Sequence, residues 1–255
     1  MNINIIQAIL IGVVYYLGVT GVPWLTALGS TIINRPLISG FLVGIILGDP
    51  VQGCIIGAAI NLPYLAVISA GGSVAMDPGL AGTVGTALAL LADTTAEVAV
   101  SLAVPIGLLG TFIWIIHMTV DITFVHLADK AAKQGDLKRI IFLNTVPPQI
   151  ILFFLSVVPV TLAVYFGSGA VSNLLSSIED TPIIHVLTVI GTILPALGIA
   201  MNLKSIVSGG NRVYLFYLLG FILSVYLKLP VIAISVLGFI IAYFYSELSE
   251  KKGVA

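Results

Sequence analysis

The stretch Arg35-Pro-Leu-Ile-Ser-Gly40-Phe-Leu-Val-Gly44-Ile-Ile-Leu-Gly48-Asp49-Pro50 contains an uncharged run, Pro36 to Gly48, that is only 13 residues long. At 1.5 Å per residue such a run reaches about 20 Å as a helix, short of the roughly 30 Å hydrocarbon core of a bilayer. Helix breakers bound it on both sides. Pieces of this length belong to re-entrant or broken helices, because non-helical backbone at membrane depth is tolerated only against protein or a water-filled cavity. The expectation is a transporter fold.

Outward from this stretch, lipid is the expected solvent. The 255 residues include only 10 Lys and Arg and 11 Asp and Glu, and the intervals Met1 to Asn34, Pro50 to Met76 and Val98 to Val120 carry no charge. With 59% hydrophobic residues and a mean hydropathy of +1.17, the 8% that are charged cannot supply a polar shell for a water-soluble globule. The net charge of -1 provides no basic field, so nucleic acid is not an expected partner. The lone Cys54 lies in an apolar run and can form neither an intramolecular disulfide nor a multi-cysteine metal site. No Lys or Arg precedes Arg35, so the first apolar run lacks the basic n-region of a cleavable signal and is expected to remain in the mature protein.

Reading between charges and breakers gives candidate membrane segments near 3–22, 36–48, 51–70, 78–92, 98–120, 140–166, 182–203, 213–227 and 229–246. The fold class expected is all-α, a polytopic membrane protein with broken and re-entrant helices forming one domain over residues 1–255. Paired short segments would suit an internal inverted repeat of the kind that supports alternating access, although no internal sequence match marks one. The cluster Asp129, Lys130, Lys133, Asp136, Lys138 and Arg139 forms a polar loop at about 129–139, which the positive-inside tendency places in the cytoplasm. Four segments from there to Lys251 and Lys252 would return the chain to the same side. If 213–246 is one kinked unit around Lys228 and Pro230, that parity lapses.

Chemistry-bearing residues are few. Gly40, Gly44 and Gly48, then Gly53 and Gly57, recur at intervals of four, which gives neighbouring helices smooth stripes for close backbone approach. Asp49-Pro50 and Asp77-Pro78 each read as a helix start, with a carboxylate at N-cap and proline at the first helical position. Capping suffices for Asp49. Asp77 follows the glycine-rich stretch Ala70 to Met76 and lies 28 residues from the previous charge. A carboxylate at that depth is costly and is read as either a cap, a substrate contact or both. Asn61, two residues before Pro63, offers an amide donor and acceptor at a helix break, suited either to sugar hydroxyls or to helix–helix bonding.

His117, His126 and His185 are too scattered to make a metal motif, and no metal or cofactor is expected. His117 and Asp121, four residues apart, share a helix face and suit a proton relay or a structural bond. Neither a nucleophile elbow, a P-loop nor a dinucleotide fingerprint is present, so the chain is not expected to be an enzyme by itself.

The run Asn34 to Asp49, the later Val74-Ala-Met-Asp-Pro-Gly-Leu-Ala, His126-Leu-Ala-Asp-Lys-Ala-Ala, Leu194-Pro-Ala-Leu-Gly-Ile-Ala-Met and Phe216-Tyr-Leu-Leu-Gly-Phe resemble, in order and at matching length, the IIC subunit of mannose-family sugar phosphotransferase systems. The resemblance implies a multi-pass permease subunit of the bacterial inner membrane. Its implied partners are a IID membrane subunit, cytosolic IIA and IIB proteins that carry phosphate on histidines, and the sugar itself. It further implies an elevator motion and a trimer of IIC–IID pairs. By position, Asp77 matches the family's acidic residue in the glycine-rich region, Arg35 with Pro36 its Arg-Pro-Leu turn, and His126, Asp129 and Lys130 its cytoplasmic helix-end motif. The substrate-binding residues expected are therefore Asn61, Asp77 and Arg35. One departure stands out: mannose-type members carry glutamate in a Gly-Gly-Thr-Leu-Glu pattern where this chain has Gly57-Ala-Ala-Ile-Asn61. An amide for a carboxylate exchanges a strong acceptor for a weaker acceptor plus a donor. An amino sugar, N-acetylated sugar, ketose or sugar acid then becomes a candidate beside mannose. Two other readings remain: a proton- or ion-coupled transporter using His117 and Asp121, and a non-transport membrane scaffold or receptor.

Overall fold

The computed structural model describes residues 3–19, 25, 28–65, 76–178, 181–207 and 213–253, and these form helices without a strand among the described residues. The chain divides into two compact units, residues 1–200 and 201–255.

In the first unit, α1 (Ile5–Gly18) starts with a capping box in which the Asn4 side chain accepts from the Ile6 N–H and Gln7 Oε1 accepts from the Asn4 N–H at 3.0 Å. A π-helical turn, Gly29–Ile33, leads into α2 (Pro36–Leu47). Gly48 closes α2 at φ +91°, a left-handed conformation that a side chain would strain. Asp49 then caps α3 (Pro50–Tyr64), accepting the Gln52 N–H at 3.0 Å with Pro50 in the first turn. The short run Pro36 to Gly48 is thus one arm of a helical hairpin. Each arm is about 20 Å long at 1.5 Å per residue, so neither crosses a bilayer alone.

Glycine holds the two arms together. A Cβ on Gly53 would stand 2.6 Å from both the Gly44 Cα and the Gly40 carbonyl oxygen, and one on Gly40 would stand 2.7 Å from the Gly57 Cα. The two expected stripes face each other, backbone on backbone. The segment expected at 51–70 is helical to Tyr64; the glycine-rich stretch before Met76 lies outside the described residues.

Helix α4 (Pro78–Leu91) begins at Asp77, widens into π-helical geometry over Ala81–Gly85, and is the most enclosed element of this unit. Leu80, Val84 and Leu88 pack with Ile11 and Tyr15 of α1, Val43 of α2, and Val160 and Val164. Ala81 and Ala89 meet Ile56, Ile60 and Tyr64 of α3 together with Ala99, Val100 and Ala103. A short element thereby sits among the hairpin and the longer helices.

Those longer helices correct the expected boundaries. Segments near 98–120 and 140–166 joined by a polar loop are in fact α5 (Ala96–Lys133) and α6 (Leu137–Ile178), separated only by a turn at Gln134–Asp136 with Gly135 at φ +70°. Charge did not end the helix, because Asp129, Lys130 and Lys133 are exposed along its final turns, and the two lysines complement the carbonyl-rich end of the dipole. Prolines 105, 147, 148 and 159 lie inside these helices. Both helices contain windows of mean hydropathy 2.2 and 2.4 of which only 33% and 28% is buried. Large apolar side chains point outward, among them Phe112 at 62%, Phe154 at 59% and Phe166 at 67% exposure. In water such a surface would aggregate; in lipid it is solvated. Helix α7 (Pro182–Val207) follows.

In the second unit, α8 (Val213–Val225) and α9 (Val231–Gly253) are two helices separated at Tyr226–Pro230, where Lys228 takes φ +49°. Phe216 and Tyr245 make an edge contact at 5.9 Å between ring centroids.

Candidate functional site

Asp77 stands at the N-cap of α4, and each of its polar groups is held. Its Oδ1 accepts the Leu80 N–H at 3.0 Å, which caps α4 as expected. Its Oδ2 accepts the Tyr15 O–H at 2.6 Å, a contact that spans 62 residues of sequence. Its own N–H donates to the Gly107 carbonyl of α5 at 2.9 Å. Three elements therefore converge on one residue. A 2.6 Å O–H···O distance belongs to the short, charge-assisted class, stronger than a neutral bond and stronger still where water is excluded.

Small residues make room for this arrangement. Gly107 and Gly110 lie one turn apart on α5, and a Cβ on Gly110 would collide with the Asp77 side chain. A Cβ on Gly107 would collide with the Tyr64 hydroxyl, which donates to the Ala103 carbonyl at 3.4 Å. Asn34, at the end of the π-helical turn, holds its Oδ1 where a Cβ on Gly79, two residues beyond Asp77, would collide with it. Sequence reading missed Tyr15, Tyr64 and the two α5 glycines. The one local signal was a tyrosine pair, Tyr15-Tyr16, in an uncharged apolar helix, where a phenol must find a partner.

Asn61 lies on α3 one turn before Tyr64, so both project from one face. It is half-buried and its Oδ1 is enclosed with no hydrogen-bond partner among the described residues. Among the described residues no hydrogen bond joins it to Asp77. A buried orphan acceptor costs about 1–3 kcal/mol and calls for a donor. Arg35 is exposed at the N-cap of α2, where its carbonyl accepts the Ile38 and Ser39 N–H groups at 2.9 and 3.0 Å. No ion pair joins its guanidinium to Asp77 among the described residues; its neighbours Asn34 and Pro36 lie close to Gly79 and Gly82 of α4.

The other expected residues lie apart from this centre. His117 is buried on α5 with Nε2 3.3 Å from Asp121 Oδ2, which gathers the pair as expected. His126, Asp129 and Lys130 are exposed near the end of α5. His185 is exposed on α7, and no metal-binding group of His, Cys, Asp and Glu occurs among the described residues.

A capped, tyrosine-bound carboxylate at a helix start in an apolar helical body is suited to holding a polar solute. Comparison with known proteins gives this arrangement a context. The sequence family described as "PTS system sorbose-specific iic component" matches residues 5–244. The chain belongs to this family. This IIC component is 30% identical to the PTS system mannose-specific EIIC component of Escherichia coli K12 over 253 residues, covering 98% of this chain and 92% of that one. Among solved structures, one titled "Structure of membrane protein" superposes at a TM-score of 0.85 with 28% identity, covering 99% of each chain. Another, a cryo-EM structure of the mannose transporter ManYZ in complex with microcin E492, superposes at 0.59 with 28% identity over 98% of each chain. The chain is a membrane protein and a permease component of a sugar phosphotransferase system. As expected for that component, it is a transport subunit, with phosphoryl transfer belonging to other subunits.

Proposed function

We propose that this IIC component binds its sugar at the helix break around Asp77, with Asp77 and Asn61 as the polar contacts, and carries it as a multi-pass subunit of the bacterial inner membrane. The observation that carries the reading is the carboxylate of Asp77, enclosed by three helices and fixed by the Tyr15 hydroxyl at 2.6 Å. Asn61, whose Oδ1 has no donor among the described residues, supplies the second contact one turn from Tyr64. Both present acceptors, so a solute rich in hydroxyl or N–H donors suits them, and a sugar acid would be repelled by Asp77. A neutral ketose or an N-acetylated hexosamine fits the amide at position 61 better than it would fit a glutamate. Arg35 braces the turn into α2 beside Asn34 rather than touching the sugar.

The family and the ManYZ likeness support a membrane partner, read here as a IID subunit, and cytosolic IIB and IIA proteins complete the proposed system as the source of phosphate. The exposed His126, Asp129 and Lys130 at the end of α5 suit a cytoplasmic docking surface for IIB. Residues 1–255 act as one permease domain, in a trimer of IIC–IID pairs. The glycine-to-glycine hairpin and the enclosed broken helix favour an elevator, because a tightly packed block can move as a body.

The test is uptake of labelled sugar by cells carrying IIA, IIB, IID and either the parent chain or Asp77→Asn. The variant retains the cap acceptor and removes the charge, so it is expected to assemble with IID and to lower phosphorylation-coupled uptake at least tenfold. Parental uptake by the variant at equal expression removes Asp77 from the site.

A further inference from the structure

Between α5 and α6 the structure holds a slot of about 320 Å³, at the small end of the range of ligand pockets, with His117, Asp121, Phe124, Asp129, Asn144 and Gln149 among its lining residues. It runs inside the α5–α6 hairpin from His117 toward the charged turn. Its buried end is chemically unfinished. His117 is only 3% exposed, yet among the described residues neither ring nitrogen makes a hydrogen bond; Asp121 Oδ2 approaches Nε2 at 3.3 Å without the alignment of a bond, and Asp121 Oδ1 is enclosed with no partner among them. Polar groups so placed in a lipid-solvated helix pair call for an occupant that meets them.

The set of groups narrows what that occupant is. Carboxylates only accept, whereas an imidazole and side-chain amides both donate and accept. A hydroxyl matches all of these, and neighbouring hydroxyls on a sugar ring match several together. Phe124 offers an apolar surface for the C–H face of such a ring. An ammonium headgroup would satisfy only the acceptors. Two carboxylates line the slot and no lysine or arginine does, so a phosphate ester, carrying about -1.5 to -2 charges, is repelled. We propose that the α5–α6 slot is a second monosaccharide site, separate from Asp77, which accepts the neutral sugar and excludes its phosphate ester. The proposal rests on the sugar-permease reading and assigns that permease a waiting position distinct from the helix break.

Trp114 provides a direct readout, since its ring lies 6.1 Å from that of His117. The chain has two tryptophans, so Trp24→Phe in the full-length protein, reconstituted in nanodiscs, leaves Trp114 as the single reporter. Mannose, fructose, sorbose and N-acetylgalactosamine, with mannose 6-phosphate and fructose 1-phosphate, are titrated while Trp114 emission is recorded. The same variant is scored for uptake of each neutral sugar in cells carrying the partner proteins. The sugar that is taken up is expected to change Trp114 emission saturably and the esters are not. The response is expected to persist in Asp77→Asn, and to need at least tenfold more sugar in Asp121→Asn and in Asn144→Ala, an exposed position where folding is not at risk.

Four outcomes overturn the proposal. A sugar that is taken up but leaves Trp114 unmoved shows that the slot does not bind it, and uptake of no sugar in the panel or beyond it removes the permease reading itself. A response that disappears with Asp77→Asn and ignores the slot variants reduces the two sites to one. A response to phosphatidylethanolamine in the nanodisc that no sugar displaces makes the slot a lipid-headgroup site.

Discussion

Replacing Gly53 by alanine tests whether the α2–α3 hairpin is closed backbone on backbone. The new methyl group would stand 2.6 Å from the Gly44 Cα and from the Gly40 carbonyl, whereas ordinary contact begins at 3.4 Å. The arms must therefore part by about 0.8 Å, and neither obstacle is a side chain that can swing aside. Overpacking of this kind costs about 1–3 kcal/mol. In lipid, tight packing is a main source of helix association, so the loss is not recovered by apolar burial elsewhere. Alanine also gains about 1 kcal/mol over glycine in helix propensity, which must be subtracted. Gly169, helical and with nothing within 4 Å of a Cβ, supplies that reference. The difference between Gly53→Ala and Gly169→Ala should thus be about 1–3 kcal/mol, or roughly 5- to 150-fold in the folded-to-unfolded ratio. Denaturant titration of the two purified variants in the same lipid nanodiscs, followed by helical circular dichroism, measures it. Equal midpoints, or a Gly53→Ala variant more stable than Gly169→Ala, would refute the close approach of the two arms.

Two further substitutions separate the site from its scaffold. Tyr15→Phe removes one oxygen from a fully buried ring and with it the 2.6 Å bond to Asp77, a charge-assisted contact of about 1.5–3 kcal/mol; concentration-dependent uptake is expected to show a half-saturation at least tenfold higher, and an unchanged curve would mean that the phenol does not position the carboxylate. Asp49→Ala removes the acceptor for the Gln52 N–H and is expected to lower stability by about 1 kcal/mol in a denaturant titration while leaving half-saturation for uptake unchanged.

Local chemistry was legible in the sequence wherever a few consecutive residues decide the backbone. Asp49-Pro50 and Asp77-Pro78 announced helix starts because a carboxylate and a proline satisfy or remove the same orphan N–H groups, and both caps form. Glycines spaced by four announced a close approach, and the partner of the first stripe was the second. Helix ends were less legible. Charge at Asp121 and after Asp129 suggests the end of a segment, but a helix leaving hydrocarbon can continue into the interface with its charges solvated. The surroundings of Asp77 were least legible, since Tyr15 and Gly107 reach it from 62 residues before and 30 residues after in the chain, distances at which no spacing rule operates. Asn61 was visible as an amide beside Pro63, but that its oxygen would be enclosed without a donor depends on how α3 is packed.

The adjacent phenols of α1 restrict how that helix can travel. Tyr15 ties it to the start of α4, and Tyr16, whose hydroxyl donates to Gln149 Oε1 at 3.1 Å, ties it to α6. Successive side chains leave a helix about 100° apart, so these tethers pull on different flanks and no axial swivel relaxes both. If α4 shifts against α6 during a transport cycle, α1 must release one phenol to follow the other. The helix then works as a clutch, and the tether that lets go first marks the seam along which the protein divides.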